Sequence, residues 1–211
     1  MRRSVVLRCP CPFSDRLTNM ILSGEEIRRH LGDQIVIDPF SEAHLNTNSY
    51  NLSLHHELLV YEEVVLDAAA PNRFRRLVIP AEGLTLHPGQ LYLGRTVENT
   101  QTHGLVPRIQ GRSSLARLGL FISPGASLGE AGYCGTWTLE MFVVQPLKIY
   151  PGMRACQIYF HELIGAVETC GDRKYHNSED IQTSQMYREF GEGAQDQQLE
   201  LRFEDILRSS T

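Results

Sequence analysis

The spacing of hydrophobic positions changes along this chain, and the change predicts where helices and strands lie. Near the start, Ser23 and Glu26 have the spacing of a capping box, Ile27 and Leu31 follow on one side of the next turns, and Gly32 can end a helix. From residue 34 to about residue 163, short β-branched and aromatic runs replace this pattern. We therefore predict one short helix followed by a long β region.

Seven short runs in the β region have the composition of strands, and glycine and proline separate them. They cover residues 35–37, 49–54, 58–61, 77–79, 91–97, 137–143 and 155–160. Residues 113–118 instead contain good helix formers, and Gly119 follows where a C-cap glycine is expected. The pattern predicts a mainly β fold, a barrel or a sandwich, with a few short helices.

The length of 211 residues indicates one domain with an extension at each end. Residues 1–19 carry prolines and cysteines without periodicity, which predicts a poorly ordered N-terminal extension. Residues 20–190 hold the β pattern and form the predicted domain. Residues 191–211 follow a polar, glycine-containing stretch and form a C-terminal tail whose apolar spacing is compatible with a helix.

Composition and charge narrow the classes of partner. The chain has 25 acidic against 20 basic residues and a formal net charge of -5, which argues against binding nucleic acid by bulk attraction. No apolar run approaches the ~18 residues of a membrane span, and the apolar run near the N-terminus is too short for a secretory signal. The 5 cysteines form no C-x-x-C pair. We expect no nucleic acid, no membrane and a cytoplasmic location.

A glycine, two hydroxyls and two arginines meet at the second predicted helix. Arg112, Ser113, Ser114 and Arg117 follow Gly111, and free amides at a helix start together with guanidinium groups favour a phosphate. The same residues also fit a plain serine N-cap flanked by surface arginines. Both interpretations stay open on these residues alone.

Two polar side chains within predicted strands are candidates for chemistry. Glu140 shares a strand face with Thr138 and Phe142, and burial there would raise the pKa of its carboxyl toward the range a general acid/base needs. Gln157 alternates with apolar residues, so its amide lies on the face opposite the core and could bind a ligand. Each residue equally fits the wet face of an antiparallel sheet.

A third candidate, the triplet His55, His56 and Glu57, has the H-x-E pattern of zinc-dependent deaminases. These enzymes also need a downstream P-C-x-x-C, and the chain has none. We therefore expect no zinc and interpret the two histidines as polar strand residues.

Taken together, the motifs resemble the dCTP deaminase family, relatives of the trimeric dUTPases. The run Gly-Arg-Ser-Ser-Leu-Ala-Arg-Leu-Gly-Leu at 111–120 is highly specific, and the order and spacing of the others match: 126–135, 138–140, 151–153 and Gln157. The similarity extends from residues 20–24 through 48–52 to Lys174 and Tyr175, about three quarters of the chain.

The resemblance implies a distorted β-barrel, the dUTPase-like or β-clip fold, and a homotrimer with active sites between subunits. The implied substrate is a deoxycytidine nucleotide that carries Mg²⁺ through its phosphates, with no metal ligated mainly by protein and no zinc. Glu140 corresponds to the general base, Ser113 and Arg117 to its catalytic partners, and Ala126 to the residue whose carbonyl holds the attacking water. The implied substrate-binding residues are Arg112, Ser114, Tyr133, Gln157 and Lys174, with Tyr133 stacking on the deoxyribose.

The expected reaction is dCTP plus water to dUTP plus ammonia, and several departures keep alternatives open. Glu130 stands where dUTPases have the aspartate that activates water, so a bifunctional, dUMP-forming enzyme is one alternative. Residues 176–180 differ from the usual closing segment, which permits dCMP or a base-modified nucleotide as substrate; Glu179 and Asp180 would repel phosphates unless they bind metal or point away. A non-catalytic nucleotide-binding regulator is less favoured, because Glu140 and its partners are retained.

Overall fold

The computed structural model describes residues 21–123, 125, 127–165 and 174–190, and these residues form a mainly β fold. The predicted N-terminal extension, the C-terminal tail and Ala126 lie outside them. The helices are α1 (Gly24–Arg29) and α2 (Ser113–Ala116), with 3₁₀ turns at Glu42–His44 and Met186–Phe190.

Thirteen strands make up the rest of the regular structure in the described residues. They are β1 (Ile35–Asp38), β2 (Tyr50–Ser53), β3 (Glu57–Tyr61), β4 (Phe74–Val78), β5 (Leu84–Leu86), β6 (Tyr92–Arg95), β7 (Asn99–Thr102), β8 (Leu105–Gly111), β9 (Leu120–Ile122), β10 (Cys134–Gly135), β11 (Thr138–Val143), β12 (Leu147–Ile149) and β13 (Arg154–Glu162).

Four antiparallel sheets arise from these strands. Their orders are β1-β7-β10, β4-β3-β6-β11-β9, β12-β5 and β2-β13-β8. Within the described chain none closes into a barrel, and one continuous core of buried aliphatic and aromatic side chains joins the sheets. The prediction of a distorted β fold with a few short helices is confirmed.

Each predicted strand overlaps an observed one, and the capping box is also confirmed. The Ser23 side chain accepts a hydrogen bond from the Glu26 amide at 3.2 Å. Strands β5, β7, β8, β9, β10 and β12 were not predicted. Strand β7 reads Asn-Thr-Gln-Thr and β8 contains Pro107, so neither has the local composition of a strand; pairing with β1 and β13 makes them strands.

None of the helices in the described residues is both long and apolar enough to cross a bilayer.

Gly135 shows how the fold brings two distant segments together. Its φ is +138°, in the region that favours glycine, and a parallel bridge joins it to Ser178. A Cβ at Gly135 would lie 2.7 Å from the Ser178 carbonyl oxygen and 2.9 Å from its nitrogen. Segment 174–190 therefore packs against the chain at a point where only glycine fits without strain.

Gly135→Ala should destabilise the protein by about 1–3 kcal/mol, because it adds backbone strain and a backbone clash. Urea denaturation measures this loss. Gly125→Ala is the matched control, since no atom lies within 4 Å of the Cβ it would add. Equal unfolding free energies for the two variants would contradict the proposed close packing.

Candidate active site

A cavity of about 750 Å³ lies between strand β11, the loop before it and segment 174–190. Most of the lining residues come from three stretches that are distant in sequence: 91–93, 128–140 and 174–184. Lys174 is one of these residues. The other lining residues are Tyr61, Leu91, Leu93, Leu128, Gly129, Glu130, Tyr133, Thr136, Trp137, Thr138, Glu140, Tyr175, His176, Ser178, Gln182, Thr183 and Ser184. Three predicted site residues, Glu140, Tyr133 and Lys174, are thus brought to one cavity.

Strand alternation places Glu140 on the cavity side of β11. Its neighbours Leu139 and Met141 are fully buried on the other face, and Glu140 pairs in register with Leu93 of β6. The Glu140 backbone carbonyl accepts a hydrogen bond from the Ser123 amide at 2.8 Å. The carboxylate therefore stands on a strand that is held on both sides.

One carboxylate oxygen of Glu140 differs from most buried polar atoms in proteins. Oε2 is shielded from solvent and makes no hydrogen bond within the described residues. A buried carboxylate oxygen without a partner is costly, which is why most such atoms in proteins are paired. Glu140 thus presents an acceptor to whatever molecule fills the cavity.

An aromatic pair forms the neighbouring wall. The rings of Tyr133 and Trp137 stack with centroids 4.2 Å apart and planes at 29°. The Tyr133 hydroxyl donates to the Thr136 carbonyl at 2.8 Å, and Trp137 Nε1 donates to Thr100 Oγ1 at 2.8 Å. Burial raises the pKa of Tyr133 above its ordinary value. The phenol is therefore neutral and fixed in orientation.

Segment 174–190 closes the cavity on the opposite side. The Ser178 carbonyl accepts from the Thr136 amide at 2.8 Å, the Gln182 amide donates to Thr138 Oγ1 at 3.0 Å, and the Ser184 amide donates to the Tyr61 hydroxyl at 3.0 Å. These three hydrogen bonds fix the segment against Thr136, Thr138 and Tyr61, which themselves line the cavity.

Besides Glu140, the lining contains the charged residues Lys174 and Glu130. Lys174 forms an ion pair with Glu189 within the closing segment. Glu130 is exposed and reaches the cavity from the loop before β10. The lining therefore combines two carboxylates with one ammonium group.

Five other predicted residues, all of them described, lie outside the lining of this cavity: Arg112, Ser113, Ser114, Arg117 and Gln157. Ser113, Ser114 and Arg117 are exposed at α2, and none of them belongs to the lining. Arg112 donates from Nη1 to the Arg154 carbonyl at 3.2 Å. The predicted site is therefore divided between the cavity and a separate surface at α2.

Gln157 lies on β13 among polar neighbours, again outside the cavity lining. Its Nε2 donates to Ser49 Oγ at 3.3 Å, and it pairs in register with Asn51 of β2. As predicted, it alternates with the buried residues Cys156 and Ile158.

The structure corrects one interpretation of α2. The N-cap is Arg112, without a side-chain cap bond, so neither serine acts as the N-cap. The interpretation of Ser113 and Ser114 as a plain helix cap was wrong, and both hydroxyls stay exposed on the first turn.

Sequence reasoning assigned no role to several lining residues. Thr138 lies in the predicted strand two residues before Glu140, and this alternation could have indicated it. Trp137 alternates instead with the buried Leu139 and Met141, so the pattern predicts a core residue there. Tyr61, Gln182 and Ser184 had no local signal, because they reach the cavity only through contacts more than a hundred residues apart or between separate segments.

The triplet of His55, His56 and Glu57 brings possible metal ligands within 4.8 Å of one another, and the side chains of His55 and Glu57 already have partners. His55 Nε2 lies 2.8 Å from Arg95 Nη2, and Glu57 Oε2 lies 3.2 Å from Arg76 Nη1. Burial and the Arg95 charge lower the pKa of His55. Two adjacent guanidinium groups repel a cation, so this cluster does not fit a zinc site.

The antiparallel sheets and the cavity over β11 define a distorted, mainly β fold. A solved dCTP deaminase from Agrobacterium tumefaciens has a similar fold, with a TM-score of 0.56 and 21% identity, covering 69% of this chain and 49% of that one. The chain thus spans about half the length of that solved chain.

The chain belongs to the dCTP deaminase-like family, whose model matches residues 21–163. A protein of Rhodopirellula baltica named dCTP deaminase is 63% identical over 191 residues, 90% of this chain and 96% of that protein. A Clostridium botulinum protein named dCTP deaminase, dUMP-forming, is 55% identical over 171 residues, 81% of this chain and 99% of that protein. The predicted family and the prediction of a dCTP deaminase-like hydrolase are confirmed.

The raised pKa of Tyr133 predicts that its phenolate is absent where ordinary tyrosines ionise, at about pH 10. Because folding favours the neutral phenol, the contribution to stability is complete below that pH and is lost as the pH rises. Difference absorbance titration of the wild type against Tyr133→Phe measures it. In denaturant the two should differ by one phenolate near pH 10, and the same difference in the folded proteins would contradict the burial argument.

Proposed function

We propose that this protein hydrolyses dCTP to dUTP and ammonia, with Glu140 as general acid and base and without zinc. The observation that carries the proposal is the shielded, unpaired Oε2 of Glu140 inside the cavity. Family membership and the names of the relatives at 63% and 55% identity support the choice of substrate.

The chemistry needs one group that accepts and returns protons. Glu140 takes a proton from water as the water oxygen attacks C4 of cytosine, and gives that proton to ring nitrogen N3. It then moves the proton of the new C4 hydroxyl to the amine. The C4–N4 bond breaks, ammonia leaves, and C4 becomes the carbonyl of uracil. A cavity that excludes water strengthens each interaction in this sequence.

The aromatic wall suits the deoxyribose. Tyr133 is held by Thr136 and stacked on Trp137, so its ring cannot swing aside to admit a bulkier sugar. A 2′-hydroxyl would meet a rigid apolar face and lose its hydrogen bonds to water. The preference for a deoxynucleotide follows from this rigidity.

The triphosphate needs more positive charge than the described residues of one chain bring to the cavity, where Lys174 is paired with Glu189. We propose that a homotrimer supplies it, with Arg112, Ser114 and Gln157 of a neighbouring subunit joining Lys174 at the phosphates. Ser113 and Arg117 would approach Glu140 from the same neighbour, and Arg117 would orient the carboxylate and offset developing charge. The exposure of Ser113, Ser114 and Arg117 in the single chain supports this arrangement.

Exposed apolar side chains beside α2 support an interface at this face. The rings of Phe121 and Phe142 stack on neighbouring strands with centroids 5.3 Å apart, and each is more than a third exposed. Leu118 and Val144 are exposed nearby, at 49% and 63%. A contiguous apolar surface of this kind is typical of subunit contacts.

In this proposal the phosphates of the substrate bind Mg²⁺. Mg²⁺ prefers oxygen ligands and keeps several waters, so phosphate oxygens satisfy most of its coordination. Lys174 and the neighbour's arginine would balance the remaining charge, and Ala126 would hold the attacking water by its carbonyl as the family resemblance implies.

A second candidate is a dUMP-forming enzyme that also releases pyrophosphate. Glu130 supports it, because this carboxylate lines the same cavity as Glu140 and could activate water for attack on the α-phosphate. The Clostridium botulinum relative and one from Cytophaga hutchinsonii, 51% identical over 171 residues, are both named dUMP-forming. The two candidates differ in one product.

Ammonia and pyrophosphate release from dCTP, dCDP, dCMP and CTP, with Mg²⁺ and a zinc-selective chelator, should separate the candidates. If the protein converts dCTP to dUTP, we expect dCTP to release ammonia without pyrophosphate and the other three nucleotides to release no ammonia. Glu140→Gln should lower ammonia release by about 10²–10⁴-fold, because proton transfer is lost. Glu130→Gln should remove pyrophosphate release if the enzyme forms dUMP.

Glu82→Gln is the control for this panel, since Glu82 is exposed and outside the cavity lining. Near-wild-type deamination by a folded Glu140→Gln protein would disprove the mechanism. Activity only on dCMP or a modified cytosine nucleotide would replace the substrate, and nucleotide binding without any product would indicate a regulator.

A shared site predicts complementation between two inactive variants. Glu140→Gln and Arg117→Ala should each be inactive, and trimers mixed in equal amounts should recover roughly a quarter of wild-type activity, because half of the subunits carry each intact group. Steady-state ammonia release after co-refolding measures it. Each variant refolded alone is the control, and mixtures that remain inactive would contradict a site shared in this way.

A further inference from the structure

The closing segment 174–190 depends on few contacts with the sheets. Hydrogen bonds join it to the Thr136 amide and to the hydroxyls of Thr138 and Tyr61. Ile181 also packs against Leu59 and Leu93 in a small apolar cluster. Short irregular segments held by a small number of contacts open more easily than the core of a protein. A contact that holds this segment therefore affects the cavity it covers.

An ion pair joins the segment to strand β4. Asp180 accepts two hydrogen bonds from Arg76, from Nη2 at 2.7 Å and from Nη1 at 3.1 Å, across 104 residues of sequence. Asp180 Oδ1 also accepts from the Ile181 amide at 2.7 Å. Among the described ion pairs, this one fastens the segment to a sheet, whereas Lys174 and Glu189 pair within the segment.

The Arg76 guanidinium is itself held in place. Nη1 lies 3.2 Å from Glu57 Oε2, which lies 3.7 Å from His55 Nδ1. His55 in turn contacts Arg95, which pairs in register with Thr138 of β11. Arg76 thereby belongs to a polar network that ends beside the strand carrying Glu140. The paired guanidinium also lowers the pKa of Asp180, so this carboxylate is charged at neutral pH.

This pairing answers a question that the sequence left open. The sequence predicts that Asp180 repels phosphates unless it binds a metal or points away. In the structure its carboxylate contacts Arg76 on β4. Neither Asp180 nor Arg76 belongs to the cavity lining.

We propose that Arg76 is a positioning residue that, through Asp180, holds segment 174–190 closed over the cavity and so sets the apparent affinity for the nucleotide. This inference rests on the proposed function for its kinetic part. The segment supplies Gln182, Thr183 and Ser184 to the lining, so a chain with the segment released lacks one wall of the site.

The kinetic consequence follows from the fraction of molecules that are closed. When only part of the population is competent to bind, the apparent dissociation constant rises by the inverse of that fraction. Saturating nucleotide shifts the molecules back to the closed form, in which Glu140 and its strand are unchanged. Loss of Arg76 should therefore raise KM and leave kcat nearly constant.

The experiment compares wild type with Arg76→Met, Asp180→Asn and the charge-reversed double variant Arg76→Asp/Asp180→Arg. Asp180→Asn keeps an oxygen for the Ile181 amide while removing the charge. The matched control is Arg73→Met. It removes the ion pair between Arg73 and Glu63, 2.9 Å apart, which lies between β3 and β4 and does not involve the segment. Hydrogen–deuterium exchange of peptides covering residues 176–185 is measured beside KM and kcat for dCTP.

We expect faster exchange in these peptides for both single variants, a KM raised roughly threefold to tenfold with kcat within twofold, and partial recovery of both in the double variant. The control should match wild type in both readouts. Unchanged exchange and KM in Arg76→Met would overturn the proposal, as would a fall in kcat with KM unchanged.

Failure of the proposed function is distinguishable from failure of this inference. If the wild type releases no ammonia from dCTP, the exchange data alone decide whether Arg76 holds the segment: faster exchange with recovery in the double variant supports it, and unchanged exchange refutes it.

Discussion

The antiparallel pairing of β11 with β6 and β9 is the constraint on which the rest of the site depends. Leu139 and Met141 are fully buried, so the strand cannot slip by one residue without exposing them and burying Glu140. The energy that fixes the register is hydrophobic, whereas the group it positions is a carboxylate. A carboxylate is thus held in place by the apolar residues on either side of it.

Local patterns were enough to predict the mainly β fold and the strand face on which Glu140 lies, because alternation and turn residues act over short distances. The capping box of Ser23 and Glu26 and the seven predicted strands show this. Strand β7 shows the limit: its polar sequence becomes a strand only through β1 and β10. Likewise, Gln182 and Ser184 reach the cavity through partners in β11 and β3, which no local window of sequence contains.

The division of the predicted residues between two places has a simple physical reading. Glu140 and Tyr133 lie in the cavity, where Glu140 Oε2 is shielded from solvent and the Tyr133 hydroxyl donates to the Thr136 carbonyl. Ser113 and Arg117 are exposed on a short helix, where a binding partner can reach them. Because the shielded Glu140 carboxylate and the exposed Arg117 lie apart, each chain folds without burying an unpaired arginine, whose desolvation would be costly.

The closing segment also bears on the order in which the protein is made. Its partners Tyr61 and Arg76 lie 123 and 104 residues earlier in the chain, so these contacts form only after nearly all of the domain has been synthesised. Contacts this distant in sequence carry a large loop-closure cost and form late in folding. The sheets and Glu140 can be in place before the last wall arrives, which means that a nascent or truncated chain presents this carboxylate without an enclosed cavity.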